Sequence, residues 1–90
     1  MINLDNVAQQ SVQAGLCSKG MESFKNNAYE DAISFYNQAL EHGSCKEAYF
    51  GLGQVFYAQG KIVKAIAKLT DAIRLDATYH EAYSLMGRVY

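Results

Sequence analysis

Apolar residues recur at helical spacing along most of the chain. Ala65, Ile66, Leu69, Ala72 and Ile73 fall at i, i+1, i+4, i+7 and i+8, one stripe of a 3.6-residue helix. Ala32, Ile33, Tyr36, Ala39 and Leu40 write the same stripe earlier in the chain. A second helix type is also written twice. "EAYFGLGQVF" from Glu47 and "EAYSLMGRVY" from Glu81 share Glu, Ala, Tyr, Gly and Val in register. Both pairs are offset by one common period of about 34 residues, within the range of helical repeat arrays. The pattern predicts one helix type (A) over about 12–25, 45–58 and 79–90. It predicts the other (B) over about 29–42 and 62–75.

The punctuation between helices follows the same period. Asn27 and Gly60 hold equivalent positions, and both residue types tolerate the left-handed conformation that ends a helix. A tight turn is expected at each. Ser44-Cys45-Lys46-Glu47 and Thr78-Tyr79-His80-Glu81 both fit the capping box S/T-x-x-E, which predicts helix starts just after Ser44 and Thr78. Ser11 stands one period before Ser44 with Ala14 in the Glu position, a weaker cap for the first helix. Ile2, Leu4 and Val7 either extend that helix, with Asn3 or Asp5 as its cap, or cover the end of the molecule. Glycine inside a helix costs about 1 kcal/mol relative to alanine. Gly20, Gly53 and Gly87, each one period from the next, are therefore expected to admit the B helix closely, with Ala32 and Ala65 as the contacts. Gly51 has Leu85 as its equivalent and takes no role in the repeat.

Composition narrows the function classes. Ninety residues fit one small domain, half of them apolar and 19% charged, which excludes a disordered chain. Proline, the strongest helix breaker, is absent. The net charge is −1 with no basic stripe, so nucleic acid is not an expected partner. No apolar run reaches the length of a transmembrane helix, so no membrane is expected either. "MINLDNVAQQ" does not read as a secretory signal. Cys17 and Cys45 lack metal-ligand spacing and read as reduced thiols in a cytoplasmic chain.

Tyr49, Leu52, Gly53, Phe56, Gly60, Ala65, Leu69 and Ala72 within this period resemble the tetratricopeptide repeat, whose pattern is W-x₂-L-G-x₂-Y…A-x₃-F…A…P. Tyr49 replaces the tryptophan and Ala77 the proline. Unit 46–79 matches well. Unit 13–45 keeps Leu16, Gly20, Ala32, Tyr36 and Ala39 but departs at Lys19 and Ser23. Residues 80–90 make a half unit, and 1–11 an N-terminal extension or partial capping helix. The resemblance implies an all-α domain over 12–90, with antiparallel helix-turn-helix repeats stacked as a right-handed superhelix of about two and a half repeats.

Side chains that carry chemistry find ordinary explanations. His42 and Cys45 sit close together across a turn, but no third group is evident to orient them. Glu30 and Asp31 open a helix, where negative charge suits the dipole. No phosphate loop, dinucleotide fingerprint or metal cluster appears. No enzyme and no cofactor are expected.

In this family the A helices line a concave surface that holds partner segments. By resemblance, the inward positions are Ala14, Cys17, Met21, Phe24 and Lys25, then Glu47, Phe50, Gln54 and Tyr57, then Glu81, Ser84 and Arg88. Phe24, Phe50 and Tyr57 supply aromatic anchors and Met21 an adaptable contact. Phe56 reads as core. The family's carboxylate-clamp residues would fall on Cys17, Met21, Gly51, Glu81 and Leu85, and none fits. Acidic chain ends are thus not the expected ligand, since Glu47 and Glu81 would repel them. The expected function is a protein–protein interaction module of scaffold, adaptor or co-chaperone type. The alternatives are an N-terminal recognition domain of a larger enzyme, such as a glycosyltransferase or methyltransferase, and a secretion or assembly chaperone. Ala82, Tyr83, Leu85, Met86, Val89 and Tyr90 would leave an apolar surface on helix 79–90. That surface reads either as the cut face of a longer array or as a homodimer contact.

Overall fold

The computed structural model describes residues 4–89, with side chains from residue 11 onward. Ile2, Asn3 and Tyr90, and the side chains of Leu4, Asp5 and Val7, lie outside the described residues. Five helices follow one another: α1 (Leu4–Lys25), α2 (Tyr29–Glu41), α3 (Lys46–Ala58), α4 (Ile62–Leu75) and α5 (His80–Val89). α1 pairs with α2 and α3 with α4 as antiparallel hairpins, α2 packs on α3, and α4 packs on α5. The A helices α1, α3 and α5 also touch in succession, so the array presents them together on one side. This is the all-α repeat architecture expected from the period. The described residues measure 46 × 29 × 16 Å, a short slab.

Both hairpin turns are closed by one device. Asn27 has φ 62° and Gly60 φ 77°. The Ala28 N–H donates to Ser23 O at 2.8 Å and the Asn27 N–H to Phe24 O at 3.0 Å. One period on, Lys61 N–H donates to Phe56 O at 2.8 Å and Gly60 N–H to Tyr57 O at 3.0 Å. Each pair of bonds is a Schellman motif, which satisfies the last carbonyls of the A helix.

The helix starts differ from the expectation. α1 is already helical at Leu4, so Ser11 lies inside it and caps nothing. α3 begins at Lys46 with Cys45 as N-cap, and no side chain caps it. Ser44 is therefore one residue too early for a capping box. The Thr78 hydroxyl and backbone N–H both donate to Asp76 Oδ1, at 2.6 and 3.0 Å, which turns Thr78 back toward α4. The competing acceptor two residues upstream wins because it takes two donors in a local Asx turn.

Each unit is also tied internally, from its A helix to the end of its B helix. Gln13 Nε2 donates to Ala39 O at 3.0 Å and Gly43 O at 2.8 Å. Lys46, in the same column, pairs with the Asp76 carboxylate. Asp76 stands in the Gly43 column, so a side-chain acceptor replaces a backbone one.

The core forms two clusters. Ala32, Tyr36, Ala39, Ala48, Leu52 and Val55 make the first. Leu69, Ala72, Ala82 and Leu85 make the second. The repeated alanines are fully buried, as small residues at helix crossings must be for backbones to approach. The glycine contacts are not the expected ones. A Cβ on Gly20 would lie 2.9 Å from the Tyr36 ring, and one on Gly53 would lie 2.7 Å from Leu69 Cδ2, with Ala65 O at 3.5 Å. The B-helix side chain one turn beyond the alanine fills each notch. Gly87 meets nothing within 4 Å, because no B helix follows it among the described residues. Gly51 has a clear role here: a Cβ on it would overlap the Tyr36 ring outright. That ring is thus clasped between Gly20 of α1 and Gly51 of α3.

α5 exposes less apolar surface than its sequence predicts. Ala82 and Leu85 are buried, and Met86 and Val89 pack against the second cluster. Tyr83 stays 47% exposed. The gap comes from α4, which covers the face of α5 that the sequence alone leaves open.

Candidate functional site

Three adjoining hollows run along the A-helix side of the slab. One of about 320 Å³ is lined by Cys17, Met21, Phe24, Lys25, Tyr36, Glu47, Phe50, Gly51, Gln54, Tyr79 and Glu81. The next, about 350 Å³, is lined by Phe50, Gln54, His80, Glu81, Ser84, Leu85 and Arg88. A third of about 350 Å³ takes Phe24, Gln54, Tyr57, Ala58, Leu85 and Arg88. Phe50, Gln54 and Glu81 are shared between hollows, which makes them one groove across α1, α3 and α5. Ala14 lines a fourth hollow of about 390 Å³ at its end, with Gln13, Cys17, Ser18, Met21, Cys45 and Glu47. All the residues assigned inward by the repeat register therefore line one continuous surface. The helical period accounts for this, since positions three, four and seven apart share a face.

The aromatic residues in the groove differ in freedom. Tyr57 is 37% exposed and Met21 is 51% exposed. Phe50 is half-buried and meets the Tyr79 ring edge-on, with centroids 5.3 Å apart. Phe24 packs on Tyr29 of α2 at 5.9 Å and against the first core cluster. Phe24 and Phe50 thus form walls that the core holds in position, while Met21 and Tyr57 are free edges. Phe56 packs against the first cluster, with Lys61 and Lys64 over its ring at 6.0 and 5.7 Å, outside the groove.

Tyr36, Gly51 and Tyr79 also line the groove, which sequence reasoning missed. Tyr36 carries a core column of the repeat, and its buried ring reaches the floor of the groove between the glycines that clasp it. Burial, then Glu47 and Glu81, push the Tyr79 phenol up to about 12. Burial, then Cys17, push Tyr36 up to about 12. Both phenols stay neutral near pH 7 and present hydroxyls rather than charge.

Charge is divided across the groove. Glu47 and Glu81 sit in the first turns of α3 and α5. Lys25 and Arg88 sit in the last turns of α1 and α5. Because the A helices run parallel, one long edge is acidic and the other basic. Of the five clamp columns, Gly51 and Leu85 are buried. A ligand carboxylate would meet no cation at these five positions. His42 does not assemble with Cys45 as a catalytic pair: the Cys45 thiol donates to Glu47 Oε2 at 3.2 Å instead. Among the described residues no cluster of three metal-ligating side chains occurs.

A family model described as a TPR repeat matches residues 53–90, the stretch from the second A helix through α5. The chain belongs to the tetratricopeptide-repeat family. It is 34% identical over 64 residues to the mitochondrial import receptor subunit TOM70 of Saccharomyces cerevisiae, covering 71% of this chain and 10% of that protein. It is 33% identical over 69 residues to human serine/threonine-protein phosphatase 5, covering 76% of this chain and 14% of the phosphatase. It is 33% identical over 76 residues to mouse tetratricopeptide repeat protein 12, covering 83% of this chain and 11% of that protein. The chain therefore spans about a tenth of the length of these curated relatives. As a tetratricopeptide-repeat domain it is a protein–protein interaction module. Among the described residues no helix is long and apolar enough to cross a membrane.

Proposed function

We propose that the groove of α1, α3 and α5 binds an extended or helical segment of a protein partner, in a scaffold, adaptor or co-chaperone role without catalysis. One observation carries this reading. Side chains from three separate helices form one continuous, partly apolar surface, and it includes exposed Met21 and Tyr57. Phe50 and Phe24 are the fixed walls against which an apolar side chain of the segment packs. Glu47 and Glu81 select a basic residue on one edge of the segment and disfavour an acidic chain end. Lys25 and Arg88 select an acidic residue on the opposite edge.

The test is panning of a random peptide library on the immobilised protein, beside the Met21→Ala, Tyr57→Ala double variant. Phe50 is left intact because it supports Tyr79. Enriched peptides should carry an apolar residue flanked by Lys or Arg. The double variant should lose most of that enrichment with an unchanged helical circular dichroism spectrum. Enrichment of the same peptides by both proteins would move the contact away from the groove, to exposed Tyr83 on α5.

A second reading has one observation in its favour. Serine/threonine-protein phosphatase 5 is named as an enzyme, and its similarity to this chain covers 14% of its length. The same groove would then serve as the recognition domain of a larger enzyme.

A further inference from the structure

Cys17 on α1 and Cys45, the N-cap of α3, are 28 positions apart, yet their sulfurs approach to 3.9 Å. Both are free thiols and half-buried, and both pack against the first core cluster. Their packing holds the two sulfurs in each other's company. They also line the 390 Å³ hollow at the end of the groove, so a small reagent can reach them. A disulfide needs sulfurs about 2.05 Å apart. The remaining gap of about 1.9 Å is within reach of side-chain rotation, with the helices already in contact.

We propose that Cys17 and Cys45 are a thiol pair that closes to an intramolecular disulfide under a disulfide oxidant such as oxidised glutathione. Burial first, and Cys45 next, push the Cys17 thiol up to about 12, so Cys17 keeps its proton and the first attack falls to Cys45. The Cys45 thiol releases its proton to solvent, and the thiolate attacks one sulfur of oxidised glutathione. That S–S bond breaks, a mixed disulfide forms on Cys45, and one glutathione leaves and takes up a proton. Capping Cys45 removes its share of what holds the Cys17 proton, while the burial that is the larger cause remains. Cys17 then loses its proton to solvent, and its sulfur attacks Cys45 Sγ. The second glutathione leaves as a thiol. Two protein thiols are oxidised and one glutathione disulfide is reduced.

The new bond ties the middle of α1 to the start of α3 across the whole of α2. It restricts the unfolded chain far more than the folded one. It also removes the thiol donor from Glu47, whose carboxylate is then left to the groove. The site is thus a covalent lock on the first hairpin, placed where the groove begins.

The full chain is incubated at pH 8 with oxidised glutathione and followed by intact mass, non-reducing electrophoresis and thermal melting. The expected product is a monomer lighter by two hydrogens, with a midpoint raised by about 10 °C or more over the dithiothreitol-treated protein. Cys17→Ser and Cys45→Ser should each carry at most one glutathione and show no such rise. The disulfide should also form faster in buffer than in urea, since folding is what brings the sulfurs together. A wild type carrying two glutathiones, a disulfide-linked dimer, unreacted thiols, or faster closure in urea would each overturn the proposal.

Discussion

Tyr36 and Gly51 meet where α2 packs on α3, and Leu69 and Leu85 occupy the same two columns where α4 packs on α5. The first junction pairs the largest side chain with none at all, and the second shares the volume between two leucines. Tyr36 is 2% exposed and Leu69 fully buried, so both solutions fill the gap between adjacent units. What repeats is a summed volume and not a residue type, as close packing requires. The two junctions also differ in their ends. Gly20 and Gly53 each receive a B-helix side chain, whereas Gly87 in the same column receives none.

The sharpest way to break the comparison is Gly51→Leu. It copies the second junction into the first without removing the ring, and the ring has nowhere to go. The expected loss is about 3 kcal/mol, the upper end of overpacking costs, read as a fall in urea or thermal midpoint. Adding Tyr36→Leu should recover most of it, giving a favourable coupling in the double-mutant cycle. A double variant no more stable than Gly51→Leu alone would show that volume is not what the columns share.

A smaller effect separates glycines of one column. Gly53→Ala must displace Leu69 Cδ2 and Cγ, which lie 2.7 and 2.8 Å from the new Cβ. It should cost about 1 kcal/mol, at the low end of overpacking. Gly87→Ala enters open space at a helical position and should gain about 0.5–1 kcal/mol through helix propensity and a less flexible unfolded chain. Melting curves of the two variants should move in opposite directions.

The smallest effect concerns the ties within each unit. Lys46, then the Thr78 donors, hold the Asp76 carboxyl well below the usual carboxylate range. Asp76 in turn raises Lys46. The folded protein keeps Asp76 ionised where the unfolded chain would protonate it. Its stabilisation is therefore complete above the unfolded value near pH 4 and is lost as pH falls further. Asp76→Asn should lower the midpoint slightly at pH 7, and the gap to wild type should narrow below about pH 4. Gln13 closes the first unit through neutral groups, so Gln13→Ala should show a gap that does not close in acid.

The repeat period made much of this molecule legible before any coordinates. Turn chemistry at Asn27 and Gly60 is local, because a left-handed residue and two backbone bonds complete it within one short stretch of chain. Groove membership was legible for Cys17, Met21, Phe24, Phe50, Gln54 and Tyr57, since helical spacing alone puts them on one face. The helix starts at Ser44 and Thr78 were misread because a capping box states only what a serine or threonine can do. Asp76 just before Thr78, and Cys45 beside Ser44, decided what happened.

By itself the sequence determined the helix pattern, the hairpin turns, the family and the face that forms the groove. Each depends on residues close in the chain or on a strict repeat, so spacing carries the information. Tertiary structure alone decided why Gly51 is glycine, how much of α5 stays open, and that Cys17 and Cys45 are neighbours. Those facts depend on which atoms meet after the helices pack. Gly51 answers to a ring on the preceding helix, and Cys17 to a sulfur beyond the whole of α2. Neither separation falls on a helical period or on the repeat, so no pattern along the chain announces them.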